Sequence, residues 1–150
     1  MENKIAKQIN DAFDVRGVPK GRISVETYDD EGAQDFFYGK VWNEPSVQEL
    51  RRYESAMLFF TPEAFRYYLP AFMLAELRDP EKADIIADNL SYRFAPDNPD
   101  ARARLSFFTN EQLLVIATFF EYCASQYEVG DDDGRFTQAS VNVRQALKSG

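Results

Sequence analysis

The side chains that most enzymes use for proton transfer and nucleophilic attack are scarce in this sequence. Its 150 residues include no histidine, which excludes Ser-His-Asp and Cys-His catalysis, histidine zinc sites and an imidazole proton shuttle. The single cysteine, Cys123, lies on the apolar side of a helical pattern and has no basic neighbour in sequence. We therefore interpret it as a buried, inert thiol rather than a nucleophile. No GxGxxG or P-loop motif occurs, so nucleotide binding by those devices is unsupported.

Carboxylates are the remaining candidates for catalysis, because two of them held a few ångströms apart suffice for glycosidase-type chemistry. The chain has 25 Asp and Glu residues, so it always permits such a pair and never identifies one. Glu76 is the best single candidate for a raised pKa, since apolar residues flank it in a central helix. The alternative, which we favour, is that Glu76 is an ion-pair partner of Arg66 or Arg78.

Two acidic runs raise the question of calcium binding: DDEG at residues 29–32 and GDDDG at residues 130–134. With Gly134 as the loop glycine of an EF-hand, the first ligand position falls on Val129 and the twelfth on Ser140, which does not fit the ligand spacing. The first run fails the same test. We predict solvated turns here, with no metal site and no cofactor.

The segment FFTPEAFRYYLPAFMLAELRDP, residues 59–80, predicts a central helix with a proline in its middle. Thr61 is placed as the N-cap and Pro62 as the first helical residue. Pro70 removes one backbone hydrogen bond from the helix interior, so we predict a bend near Arg66 to Pro70, or two short helices joined there.

If the protein has a ligand-binding pocket, we predict that it lies at this bend. Tyr67 and Tyr68 lie at the bend, where their hydroxyl groups can reach polar groups freed by Pro70. Together with Arg66 and Glu76 they form our candidate pocket residues.

Other stretches predict helices as well. Residues 3–14 carry a one-sided apolar stripe, and Ser46 with Glu49 matches a capping box. Further starts are predicted at Asp79, as the N-cap of a helix whose apolar side holds Ile85, Ile86 and Leu90, and at Thr109 with Gln112, a second capping box that opens a central helix over 110–127. A last amphipathic helix is predicted over 138–147, and the segment RFAPDNPDARAR before residue 105 is predicted as a polar loop.

The region from residue 22 to residue 42 is mixed. Ile23 and Val25 alternate as in a strand, whereas Phe36, Phe37, Tyr38 and Trp42 form an aromatic group around a glycine; for that group we favour the core over an exposed recognition patch. The overall prediction is an all-α or mostly α fold, a single domain spanning residues 1–150 wrapped around the helices at 62–77 and 110–127. A small β element near residues 22–42 remains open.

Charge restricts the class of partner. The net charge is −8, which disfavours nucleic acids and anionic membranes because both bind to basic surfaces. No stretch of 18 apolar residues and no apolar signal segment occurs, and the lone cysteine fits a reducing compartment, so we expect a cytoplasmic protein.

The segments FFTPEAFRYYLPAFM and LSFFTNEQLLVIATFFEY, with an N-terminal I…AF helix and an FYGKVW segment, resemble a family of small bacterial proteins known only as a domain of unknown function. The resemblance covers most of the chain. It implies an intact single domain, and it brings no catalytic residues that can be transferred to positions in this sequence.

Two hypotheses follow. The first is a non-catalytic immunity protein that binds and neutralises a basic toxin domain from bacteria. Its contact residues would be those of the acidic loops: Asp29, Asp30, Glu31, Asp131, Asp132 and Asp133. The second is a small-ligand-binding protein or carboxylate-dependent enzyme with its site at the Pro70 bend.

Overall fold

The computed structural model describes residues 2–25, 30–126 and 134–148. Helices dominate this part of the chain, and the only β pairing within it is a single antiparallel bridge between Ser24 and Phe60. The predicted all-α fold is therefore confirmed, and the β element left open near residues 22–42 amounts to that bridge. The helices are α1 (Glu2–Ala12), α2 (Ala33–Phe37), α3 (Val47–Arg52), α4 (Ala56–Phe59), α5 (Pro62–Arg78), α6 (Pro80–Ala83), α7 (Ile86–Arg93), α8 (Ala101–Leu105), α9 (Asn110–Gln126) and α10 (Arg135–Gln145).

The chain forms two compact units. Unit 1 combines Met1–Ala12 with Ala87–Gly150, and unit 2 is the continuous segment Phe13–Ile86. The two helices predicted to be central lie in different units, α9 in unit 1 and α5 in unit 2. That the whole chain is one domain stays a prediction.

Unit 1 is built on α9, which packs against α1 and α10. The apolar stripe of α1 is buried through Ile5 and Ile9. Phe120 stands at the centre of an aromatic cluster in this unit, with ring centroids 5.6 Å from Phe94 and 6.4 Å from Phe136. Such ring pairs add to the free energy of burying their apolar area, so the long apolar helix α9 holds the unit together.

Unit 2 is built on α5, which packs against α3 and α6. Every residue of α5 from 67 to 77 is buried. Phe37 of α2 lies 5.1 Å, centroid to centroid, from both Phe60 and Tyr68, so the short helix α2 adds its aromatic ring to the core around α5.

The predicted helix starts are confirmed by their hydrogen bonds. Thr61 accepts a bond from the backbone of Ala64, Asp79 accepts one from Lys82, and Ser46 and Glu49 form a complete capping box. At the start of α9, the backbone N–H of Gln112 donates to the Thr109 hydroxyl, and the backbone N–H of Thr109 donates to the Gln112 side chain. Each cap satisfies backbone groups that the helix leaves open.

One alternative and two predictions about the elements were wrong. α5 is one continuous helix across Pro70, so the alternative of two short helices is excluded. The predicted loop before residue 105 contains α8, which buries Ala101 and Leu105; these residues are four apart and share one helical face. The helix after Pro80 is interrupted at Asp84, where φ is +54°, and the interruption leaves Ile85 38% exposed while Ile86 is buried.

Candidate functional site

The tyrosines of α5 attach this helix to segments that lie far away in sequence. The Tyr67 hydroxyl donates to the carbonyl of Val15 at 2.5 Å and accepts from the backbone N–H of Trp42 at 3.3 Å. The Tyr68 hydroxyl lies 2.7 Å from the carbonyl of Phe37 and 2.9 Å from that of Lys40. Both hydroxyl groups are thus engaged by backbone within unit 2.

Burial of these hydroxyl groups favours their neutral form. It raises the pKa of Tyr68, and the neighbouring Tyr67 and the carboxylate of Glu44 raise it further. Burial also raises the pKa of Tyr67, with Glu44 and Asp14 acting in the same direction and the hydrogen bond from Trp42 opposing them. A tyrosine whose pKa is raised in this way is a poor general base at neutral pH.

The four predicted pocket residues do not occupy one face of α5. Tyr67 and Glu76 are nine residues apart, which places them about 180° apart around the helix axis. Arg66 is exposed whereas Glu76 is only 4% exposed. The structure does contain a cavity of about 450 Å³, but it lies in unit 1 and none of these four residues lines it. A ligand site at the Pro70 bend stays a prediction without geometric support.

Glu76 was also expected to pair with Arg66 or Arg78. The structure buries the Glu76 side chain and exposes both arginines. The ion pair remains a prediction, and so does a catalytic role for Glu76.

The acidic residues that precede α2 have a defined local structure. The carboxylate of Asp30 accepts hydrogen bonds from the backbone N–H groups of Gly32 and Gln34, at 3.0 and 3.1 Å. Asp30 thereby caps the first turn of α2. Its contact role was predicted from its charge alone, whereas the structure gives this carboxylate a structural task.

Asp30 keeps its charge in this position. Partial burial opposes ionisation of the carboxyl group, but the hydrogen bonds from Gln34, Gly32 and the Ser24 hydroxyl, with the nearby positive charge of Arg22, lower the pKa of Asp30 below its usual value. The capping carboxylate is therefore an anion at neutral pH.

Two further acidic residues near this cap are exposed. Glu31 is exposed at a backbone φ of +56°, and Asp35 is exposed in the first turn of α2. We call Asp30, Glu31 and Asp35 the acidic turn. Asp35 was missed in the sequence, because the signal that groups it with the other two is the short helix α2, and residues 33–37 had no clear helical pattern.

The acidic turn is fixed to the rest of unit 2 on both sides. The side-chain oxygen of Gln34 accepts hydrogen bonds from the backbone N–H groups of Ile23 and Ser24, at 2.9 and 3.0 Å. At the end of α2, Phe37 is fully buried. The backbone that carries Glu31 and Asp35 is therefore already ordered in the free protein, which lowers the entropy lost when a partner binds.

The other predicted contact residues, Asp29 and Asp131 to Asp133, lie outside the described residues. Their part in the hypothesis stays a prediction.

The aromatic group between residues 36 and 42 divides between core and surface. Phe37 and Trp42 are buried, as favoured, whereas Tyr38 is 53% exposed. The Trp42 indole N–H donates to the carbonyl of Asp14 at 3.1 Å, and the Tyr38 hydroxyl donates to the carbonyl of Lys20. Trp42 in the core and Tyr38 at the surface thus each hold an earlier segment of the chain in place.

Few side chains in the described part of the chain are arranged for nucleophilic or metal chemistry. Cys123 is buried, as predicted. Within residues 2–25, 30–126 and 134–148, no group of three or more Asp, Glu or Cys side chains is placed to hold a metal ion. In the same ranges, no helix is both long enough and apolar enough to cross a membrane.

Comparison with known proteins gives a family and no activity. No curated protein and no solved structure matches the chain. A family model described as a family of unknown function, DUF6714, matches residues 1–145. Since the match extends over nearly the whole sequence, the chain belongs to the DUF6714 family.

Proposed function

We propose that this protein is a non-catalytic binding domain for a basic protein partner, and specifically a cytoplasmic immunity protein that neutralises a bacterial toxin. The observation that carries the proposal is the acidic turn of Asp30, Glu31 and Asp35. It combines a fixed backbone with two exposed acidic residues, Glu31 and Asp35.

The charge of the whole chain acts in the same direction. A net charge of −8 produces a long-range field that attracts a basic protein and accelerates its association. Local carboxylates then determine where the partner binds and in which orientation. A field of this sign repels nucleic acids and anionic lipids, so a basic protein is the partner class that fits.

The first test asks for the biological effect. The chain is expressed together with the toxic product of the neighbouring gene, and growth is compared with that of cells expressing the toxin alone. We expect restored growth and a stable complex of the two purified proteins. Unprotected cells, or purified proteins that do not associate, contradict the proposal.

The second test asks whether the acidic turn is the contact surface. The double charge reversal Glu31→Lys/Asp35→Lys leaves the Asp30 cap intact. We expect it to slow association with the partner by about 10-fold or more at low salt and to reduce the salt dependence of the rate. Stopped-flow measurements at several salt concentrations give both quantities.

A matched control is the double reversal Glu63→Lys/Glu81→Lys. Both residues are exposed acids in the first turns of α5 and α6, so this variant has the same net charge as the first. It should slow association much less. If both variants slow it equally, only the total charge matters and the acidic turn is not the contact surface.

A further inference from the structure

A cavity of about 450 Å³ opens in unit 1 between α8, the loop that precedes it and the C-terminal end of α10. This volume is within the range of small-molecule sites, about 300 to 1,000 Å³. Leu105 is a buried apolar residue of its wall. The polar side chains that matter for recognition are Arg102, Ser106, Asn142, Gln145 and Lys148.

The charge of this cavity is opposite to that of the chain. Two of the ten described lining residues are cations, Arg102 and Lys148, and none of the ten is acidic. The chain as a whole has 25 acidic and 17 basic residues. The nearby acids Asp97 and Asp100 are exposed and do not line the cavity. A cationic cavity within an acidic protein is a site for an anion.

A further positive charge lies on α8 but does not line the cavity. The half-buried guanidinium group of Arg104, on α8, donates to the carbonyl of Arg93 at 3.2 Å. Burial lowers the pKa of Arg104, and the positive charge of Arg93 lowers it further, with Asp100 opposing. Arginine remains protonated despite such shifts, so Arg104 adds a positive charge on α8 to that of Arg102.

Hydrogen bonds fix the side of the cavity that α10 supplies. The side chain of Asn110 accepts a bond from the backbone N–H of Lys148 at 2.9 Å and donates one to its carbonyl at 2.8 Å. The amide nitrogen of Asn142 donates to the carbonyl of Phe94 at 2.9 Å. The Lys148 ammonium group donates to the carbonyl of Phe108 at 3.1 Å and keeps two further N–H donors for a ligand. These bonds hold Lys148 and Asn142 in position before any ligand arrives, which reduces the entropy lost on binding.

Acceptor oxygens that remain on side chains of the cavity wall indicate which groups the ligand carries besides its anionic group. The Ser106 hydroxyl already donates to the carbonyl of Ala103, and the Asn142 nitrogen is engaged as described. Both side chains therefore retain an oxygen that accepts hydrogen bonds. A ligand with hydroxyl groups supplies the donors that these oxygens accept.

We propose that this cavity binds a small organic anion, a carboxylate or phosphate carried on a hydroxyl-bearing body, with Arg102 and Lys148 contacting the anionic group. A guanidinium group can form bidentate hydrogen bonds with either a carboxylate or a phosphate, and a lysine ammonium group adds a point charge. This proposal does not depend on the protein partner proposed above. The cavity is lined by residues outside the acidic turn, and its ligand is an anion, whereas the proposed partner is a basic protein.

Four probes separate the parts of this proposal: citrate, ribose 5-phosphate, inorganic phosphate and ribose. Calorimetry at low salt measures their affinities, and amide chemical shifts of the intact protein locate the binding. We expect saturable binding of citrate, ribose 5-phosphate or both, more tightly than inorganic phosphate, and no binding of ribose. Shifts should concentrate in α8 and at the end of α10. No saturable binding of any anion up to about 10 mM, a concentration that detects millimolar affinities, overturns the proposal.

The matched variants are Arg102→Gln and Lys4→Gln. Both residues are exposed cations on helices of unit 1, and both substitutions remove one positive charge. We expect Arg102→Gln to weaken binding of the organic anion about 10-fold, the usual effect of losing a charged hydrogen bond. Lys4→Gln should leave the affinity within about two-fold, because Lys4 does not line the cavity.

Equal weakening by both variants means that the anion responds to net charge only, and it overturns the proposal. Thermal melts show whether each variant is folded. If Arg102→Gln does not fold, Lys148→Gln takes its place with the same expected loss of affinity, and an unchanged affinity in that variant also overturns the proposal.

Discussion

Tyr68 illustrates how one side chain connects distant parts of unit 2. Its ring lies in the core, 5.3 Å from Phe60 between centroids, and its hydroxyl lies within hydrogen-bonding distance of the carbonyls of Phe37 and Lys40. Between these two residues the chain reverses through Gly39, where φ is +78°. The hydroxyl has one hydrogen to donate to these two carbonyls, and the carbonyl of Phe37 also accepts from the backbone N–H of Lys40 at 2.9 Å.

Replacing Tyr68 with phenylalanine removes that hydroxyl and keeps the ring. We expect the free energy of unfolding to fall by about 1 to 3 kcal/mol, because a carbonyl of the Phe37–Lys40 turn loses the hydrogen bond that this hydroxyl donates. Chemical denaturation measures the change. The control is Tyr38→Phe, which also removes a hydroxyl that donates to a backbone carbonyl but at a side chain that is 53% exposed. It should change stability by less than about 0.5 kcal/mol; equal losses would contradict the argument.

The sequence indicated that Tyr67 and Tyr68 belong to an apolar helix but not where their hydroxyl groups go. We expected them to serve backbone groups freed by Pro70, and that target is wrong. Their acceptors are carbonyls 28 to 52 residues away in sequence. Local spacing contains no information about such partners, because they depend on how the chain returns to α5.

At the scale of elements, α5 tolerates a proline that a regular helix would not. The helix is continuous from Pro62 to Arg78, and Pro70 lies inside it and is buried. An interior proline costs about 3 kcal/mol through a lost hydrogen bond and a clash with the preceding turn. The surrounding core of aromatic and aliphatic side chains offsets this cost.

Replacing Pro70 with alanine should therefore stabilise the protein. The substitution restores an N–H donor and relieves the clash, against the loss of two buried methylene groups at about 0.8 kcal/mol each. We expect a net gain of about 1 kcal/mol in the free energy of unfolding, measured by denaturation. Destabilisation instead would mean that packing of the ring outweighs the backbone penalty.

Pro62→Ala is the control for the unfolded state. Both substitutions give the unfolded chain the same extra freedom, but Pro62 is the first residue of α5, where a missing N–H costs nothing. This variant should show no gain. A gain as large as that of Pro70→Ala would attribute the effect to something other than the helix interior.

A helix can be predicted from the sequence when the contacts that form it are between residues close together in the chain. The starts of α3, α5 and α9 could be predicted, because a cap is a contact between residues three apart. The short helices α2 and α8 could not, since each is only 5 residues long. Isolated helices of that length are unstable, and here they depend on burying Phe37 or Leu105 in a core that the sequence does not reveal.

At the scale of the whole molecule, charge and burial act together on the response to high pH. The net charge is already −8, and raising the pH adds tyrosinate charge. The folded protein resists ionisation of Tyr67 and Tyr68, whose pKa values are raised chiefly by burial. The unfolded chain, in which tyrosine ionises near pH 10, does not.

The protein should therefore lose stability in alkali. The contribution of these tyrosines is complete below about pH 10 and is lost as the pH rises from there toward their raised pKa values. Each tyrosine that ionises only in the unfolded state contributes a slope of about 1.4 kcal/mol per pH unit.

Denaturation measured at several pH values above 10 tests this, with tyrosinate absorbance as a second observable. Tyr68→Phe removes one such group, so its stability should decline less steeply than that of the wild type. Parallel declines would contradict the assignment.

The class of partner could be argued from composition, and the candidate site could be argued only in part. Net charge disfavours nucleic acids as partners, and the run at residues 29–32 indicated the acidic turn. The role of Asp30 as a cap and the cationic cavity at Arg102 could not be foreseen. The cavity arises where segments remote in sequence meet, within a composition that is acidic on average. The Asp30 cap is a local contact, but it depends on α2, whose residues had no clear helical pattern.

Unit 1 has a consequence for the order of events during synthesis. Its first helix, α1, packs against α9, and the side chain of Gln112 donates to the carbonyl of Ala12, 100 residues earlier. On the ribosome, α1 emerges long before the surface that will cover Ile5 and Ile9 exists. Unit 2 is continuous in sequence and can fold during that interval, so a nascent chain paused after residue 86 should expose the apolar stripe of α1 to chaperones.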